Sequence, residues 1–104
     1  MASRRRRVVW SPSARRALDD AVSYIAKDSP DGALRVLQVA LDTASGLGEF
    51  SERGRVVPEL TDSSLREVFV YRYRLLYRVS ADDISIVTFL HSARDFGDWV
   101  RRND

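Results

Sequence analysis

Tyr73-Arg74-Leu75-Leu76-Tyr77-Arg78-Val79 is the stretch whose reading decides the fold. Side chains alternate between two faces along a β-strand, so Leu75, Tyr77 and Val79 point one way while Arg74, Leu76 and Arg78 point the other. The first set suits a core. The second predicts an open, arginine-bearing sheet face. On either side the same period of two continues, through residues 65–71 before and 84–91 after, with Ala81-Asp82-Asp83 as the hairpin connection to the latter. Three strands of an antiparallel meander follow one another here.

Toward the N-terminus the period changes to 3.6. Arg7-Val8-Val9-Trp10 reads as a short first strand whose pairing partner the sequence leaves open. Ser11-Pro12 then opens a helix, with serine as the cap and proline at the first helical position, where its missing N–H costs nothing. Ala14, Ala17, Leu18, Ala21, Val22 and Ile25 form its apolar stripe. Ser29-Pro30 repeats the device for a second helix, whose stripe is Ala33, Leu34, Leu37, Ala40, Leu41, Ala44 and Leu47, closed by Gly46 and Gly48. So short a connection predicts antiparallel neighbours. Residues 50–55 form a turn region, and Arg55-Val56-Val57-Pro58 adds a short extended piece. After the last strand, Asp95 is placed to cap a short helix through Trp99 and Val100, with Arg101 and Arg102 in its final turn. The expected architecture is an α+β two-layer domain over residues 1–104, a helical hairpin laid on an antiparallel sheet, with residues 1–6 as a flexible, solvated leader.

Composition narrows the chemistry. The 104 residues carry seventeen basic and fifteen acidic side chains, a net charge of +2, and Lys27 is the lone lysine. That sum is too small for a polyelectrolyte that holds nucleic acid by charge alone. Cysteine is absent and His91 is the single histidine, which removes disulfides, thiolate metal sites and a cysteine nucleophile. No metal and no cofactor is expected. No apolar run approaches the roughly 18 residues that a spanning helix needs, and Val8-Val9-Trp10 is too short for the apolar core of a signal peptide, so a cytoplasmic protein without membrane attachment is expected.

The basic residues gather in one place. Residues 66–81 hold Arg66, Arg72, Arg74 and Arg78 against the single acid Glu67. Such a face is either a solvated strand surface, with arginines blunting the sheet edge, or a concave basic surface suited to RNA or an acidic protein segment. His91 ends the last strand, either as a structural hydrogen-bonding residue or as a titrating acid or base. Arg94 and Asp95 make an ion pair beside the final helix. Glu59, after Pro58, is the remaining acid placed in a loop where it could act as a base. Phosphate-cradling glycine loops, serine-nucleophile elbows and paired catalytic carboxylates are missing.

Five segments in order resemble the RelE/ParE superfamily of toxins from bacterial type II toxin–antitoxin systems. They are Trp10-Ser11-Pro12 with Ala14 and Leu18, Tyr24-Ile25-Ala26, Glu52-Arg53-Gly54-Arg55, the quoted strand 73–79, and Leu90-His91-Ser92-Ala93-Arg94-Asp95. The resemblance implies a helical hairpin on an antiparallel sheet. It also implies one of two activities. RelE-like members are ribosome-dependent mRNA endonucleases, and ParE-like members poison DNA gyrase. Arg74 matches the arginine that contacts the scissile phosphate in RelE-like strands. The family's basic residues on the preceding strand, however, fall at Leu65 and Glu67. Its second arginine falls at Ala93 or Arg94, and its late catalytic tyrosine at Phe96 or Trp99. Those departures, with the His-x-x-x-Asp ending at His91 and Asp95, make the ParE-like branch the expected one. The nuclease alternative would use Glu59 as base, Arg74 on the phosphate and His91 as acid, with Arg94 beside them. The resemblance further implies a cognate antitoxin whose disordered C-terminal segment folds onto the toxin to give a hetero-oligomer. Arg66, Arg72, Arg74, Arg78, His91, Arg94, Asp95 and Trp99 are the expected antitoxin- or target-binding residues.

Overall fold

The computed structural model describes residues 5–103. The chain runs β1 (Arg7–Trp10), α1 (Pro12–Ala26), α2 (Pro30–Gly46), β2 (Arg55–Val56), β3 (Leu65–Val70), β4 (Tyr73–Val79), β5 (Asp83–His91) and α3 (Phe96–Asn103). Both serine caps form as read: Ser11 Oγ accepts from the Ala14 N–H at 3.0 Å, and Ser29 Oγ from Gly32 N–H at 2.9 Å. The sheet order is β1-β5-β4-β3-β2. β2 to β5 pair antiparallel, whereas β1 runs parallel to β5 at the edge, Trp10 opposite Ile86. The sheet is therefore mixed. A register shift between Leu76 and Tyr77 adds a bulge to the β4–β5 ladder.

The hairpin packs as predicted. Ala14, Leu18 and Ala21 of α1, with Val36, Ala40 and Ala44 of α2, close over Val68, Val70, Tyr73, Leu75, Tyr77, Ile84, Ile86 and Phe89. Leu34 and Leu41 of the expected stripe stay exposed, and Val36 takes the inward place. Neither Gly46 nor Gly48 adopts a positive φ. Gly48 serves close approach instead, because a Cβ there would lie 2.7 Å from the Arg6 carbonyl oxygen.

One expectation is corrected. The face carrying Arg74, Leu76 and Arg78 is covered over Arg74 and Leu76 and open only at Arg78. Leu65, Leu76 and Leu90 are joined there by Val57 from the loop after β2 and Phe96 from α3, with Leu60, Val87, Trp99 and Val100 packed around them. β4 sits centrally, so Tyr73 to Tyr77 are buried on both faces, while Arg78 near its end stays exposed. At the end of the expected leader, Arg6 N–H donates to Gly48 O at 2.8 Å, and its guanidinium reaches Ser80 O at 2.8 Å and Ser51 Oγ at 2.9 Å. Residues 1–4 of that leader lie outside the described residues.

Candidate functional site

The sheet face under α3 holds the densest polar constellation, and Arg74 is its centre. Central β4 fixes the backbone, and four hydrogen bonds fix the guanidinium. Nη1 donates to Glu59 Oε1 and Glu67 Oε1, each at 3.0 Å; Nη2 donates to Glu59 Oε2 at 3.0 Å; Nε donates to Ser92 Oγ at 2.8 Å. The guanidinium carbon lies 3.8 Å from the centre of the Phe96 ring and 5.5 Å from that of Phe69. Glu67 is wholly buried and its other oxygen accepts from Arg55 Nε at 2.7 Å. Two arginines thus meet two carboxylates, and the cluster carries no excess charge.

The pairing sets the proton affinities. Hydrogen bonding from Arg74 holds the Glu59 carboxyl below the usual range, against the opposing pull of its slight burial. Hydrogen bonding to Glu59 raises Arg74 further. A carboxylate so stabilised is a weakened base, and four of the arginine's five N–H donors are occupied. The site as it stands offers no free cradle for a phosphate.

The expected basic face divides into separate environments. Arg78 shares that side but is tied to Asp62 Oδ2 at 2.8 Å and Ser64 Oγ at 3.2 Å. Asp62 is lowered to about 2, first by the Ser64 hydroxyl and then by Arg78. Arg66 pairs with Tyr77 in the β3–β4 register and so lies on the hairpin side, where it donates to Gly54 O at 2.7 Å. Arg72 stands exposed in the β3–β4 turn. The arginines are near one another in sequence but not one surface, because register and the strand's two faces part them.

His91 is also on the hairpin side. Its ring meets Tyr73 edge-on at 5.3 Å, and Nδ1 accepts the Ala93 and Arg94 N–H groups at 3.2 and 3.0 Å. It closes the turn after β5, the first of the two roles open to it. Glu59 and Arg74 therefore come together as the nuclease set requires, but His91 does not join them. Arg94 pairs with Asp95 at 3.2 Å and stacks over Tyr24 at 4.5 Å; Asp95 raises it, with the Tyr73 hydroxyl second. Trp99 packs in the α3-side core. Among the described residues no group of three His, Cys, Asp or Glu could hold a metal.

Sequence reading missed the parts that close this cluster: Arg55, Ser92, the cover supplied by Phe96, and the role of Glu67. Glu67 carried a usable signal, a lone acid within Leu65-Arg66-Glu67-Val68-Phe69-Val70, where burial demands a cationic partner. Ser92 carried none.

Residues 8–96 match the family described as the ParE toxin of the type II toxin–antitoxin system parDE. The chain belongs to the ParE toxin family. It is 35% identical over 89 residues to the "Putative toxin Y4kP" of Sinorhizobium fredii, a match covering 85% of this chain and 90% of that protein. The fold is that of two solved structures. One is the chromosomal ParDE toxin–antitoxin system from P. aeruginosa, with TM-score 0.69, 20% identity, and 86% of this chain and 98% of that one covered. The other is the RelBE2 toxin–antitoxin complex from Mycobacterium tuberculosis, with TM-score 0.57, 22% identity, and 84% and 98% covered. This ParE-family chain is thus a type II toxin by descent, with the α+β architecture read from its periodicity and its short C-terminal helix in place.

Proposed function

We propose that this ParE-family toxin arrests growth by poisoning DNA gyrase in the cytoplasm, has no bond-breaking reaction of its own, and is neutralised in a hetero-oligomer with a cognate antitoxin. The observation that carries this reading is the closure of Arg74 by Glu59, Glu67 and Ser92. A ribonuclease must stabilise charge on the scissile phosphate and move a proton from the 2′-hydroxyl. Here the matching arginine is neutralised by the chain's own carboxylates, and the histidine lies on the other side of the sheet. Family membership points the same way. The test is a supercoiling assay with purified gyrase. Inhibition or trapped, cleaved DNA is expected as toxin is titrated; gyrase unaffected at large toxin excess sinks the proposal.

A second reading retains one observation in its favour, the contact between Glu59 and Arg74. A ribosome-dependent mRNA endonuclease would need Glu59, the more exposed partner, to swing away and free the guanidinium. Cleavage of mRNA on translating ribosomes, slowed in Arg74→Ala, Glu59→Gln and His91→Ala alike, would establish it. Intact mRNA on ribosomes incubated with toxin would remove it.

A further inference from the structure

The β3–β4 hairpin ends in a connection of two residues, Tyr71 and Arg72, between the paired Val70 and Tyr73. So tight a turn takes positive φ at its first position, which glycine, asparagine or aspartate usually supplies. Here a tyrosine holds that position, at φ 54°. Its ring is 61% exposed and meets no other ring or cation among the described residues. A residue without a side chain would serve the fold better. The strain and the uncovered ring together point to a use outside the fold.

Tyr71 lines a hollow of about 270 Å³ at the end of the sheet, with Phe69, Arg72, His91 and Ser92 around it and no carboxylate in its walls. Ser92 N–H donates to the Arg72 carbonyl at 2.8 Å, which ties the turn to the end of β5. Phe69 is half exposed and flanked by the guanidinium carbons of Arg74 and Arg55, 5.5 and 5.6 Å from its ring centre. Three side chains add donors. Arg72 is exposed and has no ion-pair partner among the described residues. Ser92 Oγ accepts from Arg74 Nε, so its own hydrogen remains to be donated. His91 Nδ1 accepts two backbone N–H groups, which places the ring's hydrogen on Nε2, a nitrogen without a partner among the described residues.

We infer that this hollow holds one unstacked nucleotide of single-stranded DNA, its base against Tyr71 and Phe69 and its phosphate on Arg72, His91 and Ser92. A protein carboxylate would satisfy the donors but leave both rings in water. A nucleotide brings the planar face and the anion together. The inference rests on the gyrase reading above, which sets the toxin beside DNA as it is broken, and it names the contact made there. The strand is held and not cut. Nε2 of His91 already carries its hydrogen, and no carboxylate lines the hollow to activate water.

The test is the fluorescence anisotropy of a short labelled oligothymidylate titrated with the full toxin, beside a DNA duplex and an oligouridylate of the same length. Binding is expected to the single-stranded DNA and should be weaker to the duplex, whose bases are already stacked. Tyr71→Gly, which relieves the turn, should weaken binding by about tenfold or more while the unfolding midpoint holds or rises. A merely structural ring could not produce that opposition. Arg72→Gln should lower the slope of log affinity against log salt by about 0.7, the share of one phosphate contact on a single strand. Equal binding by wild type and Tyr71→Gly overturns the inference. Equal binding to the duplex means that charge alone is read and overturns it too. Preference for oligouridylate assigns the hollow to RNA and overturns the choice of DNA. A wild type that traps cleaved DNA on gyrase yet binds no oligonucleotide overturns this inference and leaves the gyrase reading standing. A wild type that binds oligothymidylate through Tyr71 and leaves gyrase unaffected sinks the gyrase reading and leaves the nucleotide site standing.

Discussion

The two faces of the sheet are built on different principles. The face under α1 and α2 is a broad aliphatic and aromatic core, held chiefly by buried apolar area. The face under α3 has a smaller apolar cluster beside a buried ionic one, in which Arg55, Glu59, Glu67 and Arg74 neutralise each other. Apolar packing tolerates repacking, whereas a buried ion pair tolerates no loss of one partner. The hairpin face therefore gives the fold its stability, and the α3 face gives it a fixed geometry. The same arrangement explains why a strand rich in arginine presents so little free positive charge.

The sharpest way to break that comparison is Glu67→Ala. It removes the wholly buried carboxylate that Arg74 and Arg55 share, leaving Arg74 with Glu59 as its one carboxylate, and should cost about 3–5 kcal/mol, the range for breaking a buried pair. A loss below about 1 kcal/mol in denaturant unfolding would mean that water or Glu59 takes over. Leu75 and Leu76 come next, being adjacent, wholly buried and aimed into opposite cores. Each change to alanine should cost about 2–5 kcal/mol, with Leu76→Ala the milder because a loop and one short helix can settle into the space. Equal losses would mean that the two cores are equally rigid.

Tyr77→Phe probes where the hairpin face does carry a polar contact. Tyr77 OH accepts from Gly54 N–H and donates to Ser51 O, both at 2.8 Å, and Gly54 has no room for a side chain against it. Leaving both groups unpaired should cost about 1–3 kcal/mol. Tyr71 sits in the β3–β4 turn at φ 54°, where a Cβ is strained. Tyr71→Gly should stabilise by up to about 1 kcal/mol in thermal or denaturant unfolding, and a loss instead would mean that the exposed ring packs usefully. The smallest effect belongs to Asp62. Its folded pKa of about 2 lies below the ordinary 3.8, so its contribution to stability is complete above about pH 4 and disappears as pH falls toward 2. Glu59 shifts in the same direction. An acid unfolding series on wild type and Asp62→Asn should show a shallower decline in the variant over that window.

Much of the architecture was legible in the chain. The Ser-Pro pairs, the switch from a period of 3.6 to one of 2, and the Leu75-Tyr77-Val79 set gave the hairpin, the meander and the face between them. These are local signals, in which neighbours along the chain decide backbone conformation. The site was legible only in part. Arg74 stood out, and Glu59 was named as a possible base. Their mutual closure was not, because the partners of Arg74 lie 15, 7 and 18 residues away at Glu59, Glu67 and Ser92. The sequence alone thus determined the elements, one core face and the family resemblance. Only the tertiary structure decided that the second face is covered and that its arginines are divided and mostly paired. Register and layer packing set those facts, and both depend on contacts between residues far apart in the chain.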